Sequence, residues 1–123
     1  LPVGCSGVRV VGLEATYCLY ALGGNVNELD LDLIQRLNLE RLEWKVMHLR
    51  LPKPEYGITV FKLNQSHVGL ILRGTLCTFN AVEETINEIK KVNGIWSRYG
   101  PSYYHRGYLY CSDCEGAAKR QYL

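Results

Sequence analysis

The sequence predicts an α+β domain: a curved antiparallel sheet of about five strands with two helices on one face, followed by an irregular tyrosine-rich tail. Three observations lead there. Apolar, β-rich segments follow one another from Tyr56 to Phe79, two further stretches place apolar residues at helical spacing, and six of the nine tyrosines fall after residue 98.

The first strand candidate runs from Val8 to Leu22, bulged at Gly12 and ended by Gly23-Gly24, with Val10, Glu14 and Thr16 on one side. A first helix is expected to begin near Asn27, because Leu31, Ile34 and Leu37 recur at helical spacing. Trp44 to Leu51 alternates again as a strand, stopped by Pro52 and Pro54. Tyr56–Leu63, Val68–Arg73 and Thr75–Phe79 then read as an antiparallel meander, with turn chemistry at Asn64-Gln-Ser-His67 and at Gly74. A second helix is expected over residues 81–93. Asn80 and Glu83 have capping-box spacing, Ile86, Ile89 and Val92 share a face, Glu83 and Glu84 open it, Lys90 and Lys91 close it, and Gly94 follows.

A chain of 123 residues, 47% of them hydrophobic and with no linker-like stretch, holds one real core. The expected division is residues 1–94 as the α+β domain and 95–123 as a Tyr/Arg-rich extension carrying a Cys-x-x-Cys. No internal repeat is read from the sequence. Its apolar runs fall short of the ~18–20 residues of a membrane span, so no membrane partner is expected. The opening Leu1-Pro-Val-Gly-Cys5 lacks Met and a signal segment, and reads as the start of a processed product or fragment. Five cysteines, an odd number, point to an intracellular, reducing compartment, cytoplasm or nucleus.

Charge is uneven. Residues 1–93 hold ten Lys/Arg against ten Asp/Glu, whereas residues 94–123 hold Arg98, Arg106, Lys119 and Arg120 against Asp113 and Glu115. The domain is therefore not a strongly basic nucleic-acid binder. In the tail, rings interleave with Arg98, His105 and Arg106, a composition able to stack on bases and hold phosphates. The alternative is that those tyrosines pack the tail on the domain.

The run Val60-Phe-Lys62-Leu, Asn64-Gln-Ser-His, Gly69-Leu-Ile-Leu72, Gly74, Leu76-Cys-Thr78-Phe and Glu83-Glu84, with Leu29-Asp30-Leu31 upstream, resembles one repeat of the TATA-box-binding protein family. The resemblance implies a half-saddle whose concave sheet face lies in the minor groove of A·T-rich duplex DNA, completed by a second half-domain or by a homodimer, among transcription-type proteins. Carried across residue by residue, it implies wedge positions at Tyr56 and Leu72, a basic groove contact at Lys62, and apolar or hydroxyl contacts at Val60, Leu70, Leu76 and Thr78. The family's Gly-Lys turn reads Gly74-Thr75 here, and Val8–Leu22 holds no base-reading Asn.

Cys111-Ser-Asp-Cys114 has the spacing of half a zinc site, with His105 nearby and Cys5 the other recruit for a structural zinc; no other cofactor is expected. His48, His67 and His105 lack a neighbouring acid and nucleophile, so no enzyme is expected. The expected function is a nucleic-acid-binding module. The alternative is a protein-interaction or dimerisation module using the same sheet face.

Overall fold

The computed structural model describes residues 1–92, 102–112 and 117–123, and every regular element among them is a β-strand. These are β1 (Arg9–Leu13), β2 (Cys18–Leu22), β3 (Asn25–Val26), β4 (Leu29–Asp30), β5 (Ile34–Asn38), β6 (Glu43–Val46), β7 (Thr59–Lys62), β8 (His67–Leu72), β9 (Thr75–Asn80), β10 (Thr85–Lys91), β11 (Ser102–His105), β12 (Tyr108–Ser112) and β13 (Ala118–Tyr122). All pairing is antiparallel. Sheet 1 has the order β1-β2-β5-β6, sheet 2 the order β10-β9-β8-β7 and sheet 3 the order β11-β12-β13, while β3 and β4 form a small ribbon inside the β2–β5 connection.

The α+β expectation is thus overturned, for identifiable reasons. The helix expected at residues 81–93 is a turn followed by β10. Asn80 does accept hydrogen bonds from the backbone N–H groups of Val82 and Glu83, at 3.0 Å each, but it caps a turn. Glu84 then adopts a left-handed φ of 56°, which stops a helix. Ile86 packs toward sheet 1 while Ile89 lies on the sheet 3 side of β10, so their three-residue spacing puts them on opposite faces of a strand and not on one face of a helix. The helix expected from Asn27 is β4 and β5, with Ile34 facing sheet 2 and Leu37 facing away. The single strand expected over Val8–Leu22 is the β1–β2 hairpin, turned at Tyr17, whose φ is 52°. The tail expected to be irregular contains sheet 3, whose first hairpin turns at Arg106 and Gly107 with φ of 50° and 85°.

Where alternation and turn residues agreed, the strands lie as read. β7, β8 and β9 form the meander, and Arg73-Gly74 makes its two-residue turn with φ of 46° and 79°.

The structure also contains a repeat that the residue identities conceal. In the last hairpin of sheet 1, Asn38 pairs with Glu43, and in the last of sheet 2, Asn80 pairs with Thr85. Asn38 accepts from the N–H groups of Glu40 and Arg41 just as Asn80 does from Val82 and Glu83, and Leu42 repeats the left-handed φ of Glu84 at 55°. Residues 34–46 therefore correspond in register to residues 76–88. In the first hairpins Gly12 pairs with Leu19 and Lys62 with Val68, so Val10, Val11 and Leu13 correspond to Val60, Phe61 and Leu63.

Sheet 2 is packed on both sides. Leu13, Cys18, Tyr20, Leu22 and Ile34 of sheet 1 pack against Ile58, Val60, Val68, Leu70, Leu72, Cys77 and Phe79. The Tyr20 and Phe79 rings meet edge to face at 5.2 Å, and the Tyr20 hydroxyl lies 2.8 Å from Thr16 Oγ1. Against the opposite face of sheet 2, Phe61, Ile71 and Leu76 pack with Leu109, Tyr104 and Leu123 around sheet 3. The first strands of the three sheets lie side by side, with Lys62 paired to Glu14 across β7 and the β1–β2 turn, and Ser102 Oγ donating to the Val60 carbonyl at 2.7 Å.

Gly69 is required by this packing. A Cβ there would lie 2.2 Å from the Phe61 ring, which covers Gly69 across the β7–β8 pair. Gly69→Ala should therefore destabilise the fold by about 1–3 kcal/mol in urea denaturation, with the loss reduced in a Phe61→Leu background. Asn38→Ala and Asn80→Ala should each cost about 1 kcal/mol in the same measurement, additively, because the two turns lie in different sheets.

Candidate interaction surfaces

The residues expected to face a DNA groove do not share one open face. Val60, Leu70 and Leu72 point from sheet 2 into sheet 1 and are buried, Leu70 completely. Leu76 and Thr78 lie on the opposite face, toward sheet 3, where Leu76 is buried and Thr78 half-buried. Tyr56 is half-buried beside Gly7 at the wall of a cleft of about 540 Å³ that also includes Ser6, Asn25, Glu28 and Asp30. Lys62 is exposed, and the Glu14 carboxylate is its partner. Arg106 is exposed in the β11–β12 turn, and Arg98 lies outside the described residues.

The hydrogen bond from Lys62 holds the Glu14 carboxyl below its ordinary value of 4.5. A lowered folded value means that the pair's stabilisation is complete above that ordinary value and is lost as pH falls through the lower one. Lys62→Met should remove this dependence, so the difference between wild type and variant in urea midpoint shrinks on acidification. Added salt should shrink it too, since Glu14 is exposed.

The expected zinc ligands are not brought together. His105 pairs with Tyr108 at one end of sheet 3 and Cys111 with Ser102 at the other, and alternation puts them on opposite faces. Cys114 lies outside the described residues, while Cys5 sits at the other end of the molecule against Gly24. Among the described residues no cluster of three or more His, Cys, Asp or Glu side chains could hold a metal ion. Burial pushes the Cys77 thiol up from its ordinary value, and burial likewise raises the Tyr20 phenol.

Among the described residues, one face of sheet 1 and one face of sheet 3 have no further sheet packed on them. The outward face of sheet 1 presents Val10, Leu19, Leu37, Trp44 and Val46; Val10 is 56% exposed and the others are half-buried. Within this face Gln35 is fully buried, its amide gripping the N-terminal segment through Val3 N–H and the Val3 carbonyl at 2.9 and 3.1 Å. The outward face of sheet 3 is aromatic. Tyr103 stacks on His105, Tyr122 meets Tyr108 edge to face at 5.3 Å, and the Arg120 guanidinium lies 4.9 Å over the Tyr108 ring.

Sequence reasoning missed the latch that joins the ribbon to sheet 2. Glu55 is 4% exposed, and its carboxylate accepts from the Arg73 N–H at 2.9 Å while its backbone accepts from Gly24 and donates to Leu31. Gly23 has φ of 68° and no room for a Cβ, which would lie 2.3 Å from the Glu55 carbonyl oxygen. Arg73 also approaches Asp30 at 3.7 Å. Glu55→Ala should cost about 1–3 kcal/mol, read by thermal and urea unfolding, because it strands the Arg73 N–H.

No protein-family model matches the chain, and no curated protein matches it. The likeness to the TATA-box-binding family rests on the residues quoted for it alone. Among the described residues no helix is long and apolar enough to cross a membrane.

Proposed function

We propose that this chain is a non-catalytic protein-interaction module of an intracellular, reducing compartment that assembles sheet on sheet, with a second copy as the partner its two end faces fit. One observation carries the reading. The register positions of Val10, Leu19, Leu37 and Trp44 on the outward face of sheet 1 are those of Val60, Val68, Phe79 and Ile86 in sheet 2, and in sheet 2 that face is packed beneath sheet 1. Stacked four-stranded antiparallel sheets of this kind are the blade arrangement of propeller-type folds, in which each unit hides its apolar face only against a neighbour. The two end faces differ, one aliphatic with Trp44 and the other lined with tyrosines, so copies meet head to tail.

Sedimentation velocity tests this. Wild type should associate with rising concentration, and Trp44→Asp and Tyr122→Asp should each remain monomeric. A mixture of the two variants should form a heterodimer, since each retains one intact end. Association of Trp44→Asp as strong as that of wild type would sink the reading.

A second reading takes nucleic acid to the tyrosine face of sheet 3, because Tyr103 and Tyr122 are 65% and 68% exposed and Arg120 and His105 lie among the rings. The buried positions of Val60, Leu70 and Leu72 give groove insertion no surface. Titration with single-stranded and A·T-rich duplex oligonucleotides at two salt concentrations, using Tyr103→Ala as control, separates the readings: salt-sensitive binding lost in the variant supports stacking on bases.

A further inference from the structure

Where the connection from sheet 1 passes the start of β9 and the end of β10, a cleft of about 310 Å³ gathers three lysines. It is lined by Lys53, Thr75, Glu88, Ile89, Lys90 and Lys91.

Two separate devices bring the lysines together. Lys53 stands between Pro52 and Pro54, whose rings fix their own φ and restrict the backbone of Lys53 between them. That segment is tied at three points. Leu51 N–H donates to the Asp32 carbonyl at 2.8 Å, Glu55 N–H to the Leu31 carbonyl at 3.1 Å, and the Arg73 guanidinium to the Pro54 carbonyl at 3.3 Å. Lys90 and Lys91 come from the end of β10, where the register shifts between Glu88 and Lys90. Unbroken alternation would put Glu88 and Lys90 on one face. After the bulge Glu88 pairs with Cys77 and Lys91 with Thr75, so Glu88, Lys91 and Thr75 share the face turned toward sheet 1. Beyond burial, which dominates, Glu88 raises the pKa of the Cys77 thiol and Lys53 lowers it, so both charges lie near the same buried sulfur.

Among the described residues no ion pair joins Lys53, Lys90 or Lys91 to an acid, Glu88 included. Three ammonium groups held on fixed backbone therefore face one carboxylate, and the excess positive charge favours an anion. Ammonium groups suit compact oxyanions, to which they donate as point charges. Glu88 narrows the choice. Its carboxylate is an acceptor only, so a fully deprotonated oxyanion would set lone pairs against lone pairs, whereas hydrogen phosphate keeps a proton at neutral pH.

We propose that this cleft binds inorganic hydrogen phosphate, with Lys53, Lys90 and Lys91 holding its charged oxygens and Glu88 accepting a hydrogen bond from its P–OH group. Sulfate carries no proton at neutral pH, and a phosphate monoester has lost its last one above about pH 6. A site that hydrogen-bonds a hydroxyl rejects analogues lacking it, so both bind more weakly. None of the lining residues belongs to the outward faces of sheets 1 and 3, so the site stands apart from the assembly reading.

The test is an NMR titration of the amide signals of the full chain at constant ionic strength in chloride. At about pH 7.5, inorganic phosphate should shift the signals of Lys53, Thr75 and residues 88–91 saturably, with sulfate and O-phosphoserine weaker by about fivefold or more. Glu88→Gln should let sulfate bind as tightly as phosphate, because an amide donates as well as accepts. Lys53→Gln combined with Lys91→Gln should weaken phosphate by about tenfold or more. Unchanged signals away from the cleft show that each variant folds. Shifts that never saturate in wild type, equal binding of phosphate and sulfate by wild type, or undiminished phosphate binding by the double lysine variant would overturn the proposal.

Discussion

From Val68 to Leu72, β8 reads Val-Gly-Leu-Ile-Leu and offers water no polar side chain on either face, so it needs apolar cover on both sides and hydrogen-bonded strands at both edges. The molecule is arranged to supply this. β7 and β9 pair along its edges, sheet 1 covers Val68, Leu70 and Leu72, and sheet 3 covers Ile71. Burying each such side chain is worth roughly 1.5–3 kcal/mol, against exposed ion pairs such as Arg36–Glu84 that are worth about 0–1 kcal/mol each. Packing of sheet on sheet therefore dominates the stability, with the surface charges contributing orientation.

The same requirement marks where the sequence was legible. Alternation and turn residues specified β7, β8 and β9 correctly, because a half-buried or fully buried strand writes its surroundings into its own side chains. Asn80 was a true signal with two meanings: an Asn carbonyl that gathers two following N–H groups serves a tight turn as well as a helix start, and only the left-handed Glu84 decides between them. Nothing in that residue's identity announces a positive φ. The spacing of Leu31, Ile34 and Leu37 likewise mimics a helix because β5 is apolar on both faces. The repeat stayed hidden because its matched positions share apolar character and register rather than letters: Ile34 with Leu76, Gln35 with Cys77, Trp44 with Ile86.

For the sites, the sequence identified the right problem and the wrong solution. With two helices assumed on one face of the sheet, the other face had to remain open. A third sheet built from the tail closes it. Lys62 was singled out without its partner Glu14, which is 48 residues away and invisible to spacing. Trp44 and Val46 were recognised as alternating strand residues, yet their outward orientation depends on which face of β5 meets sheet 2, and that is decided only in three dimensions.

Among the described residues every strand of the three sheets pairs only with its neighbours in chain order within its own sheet. The β2–β5 excursion, carrying its small ribbon, and the two-residue Arg73-Gly74 turn occupy the same place in the plan and differ greatly in length, so this junction accepts inserted sequence without disturbing the strands on either side. Tandem duplication of a coding segment could therefore lengthen such an array one unit at a time, while the variable junctions diversify freely at its rim.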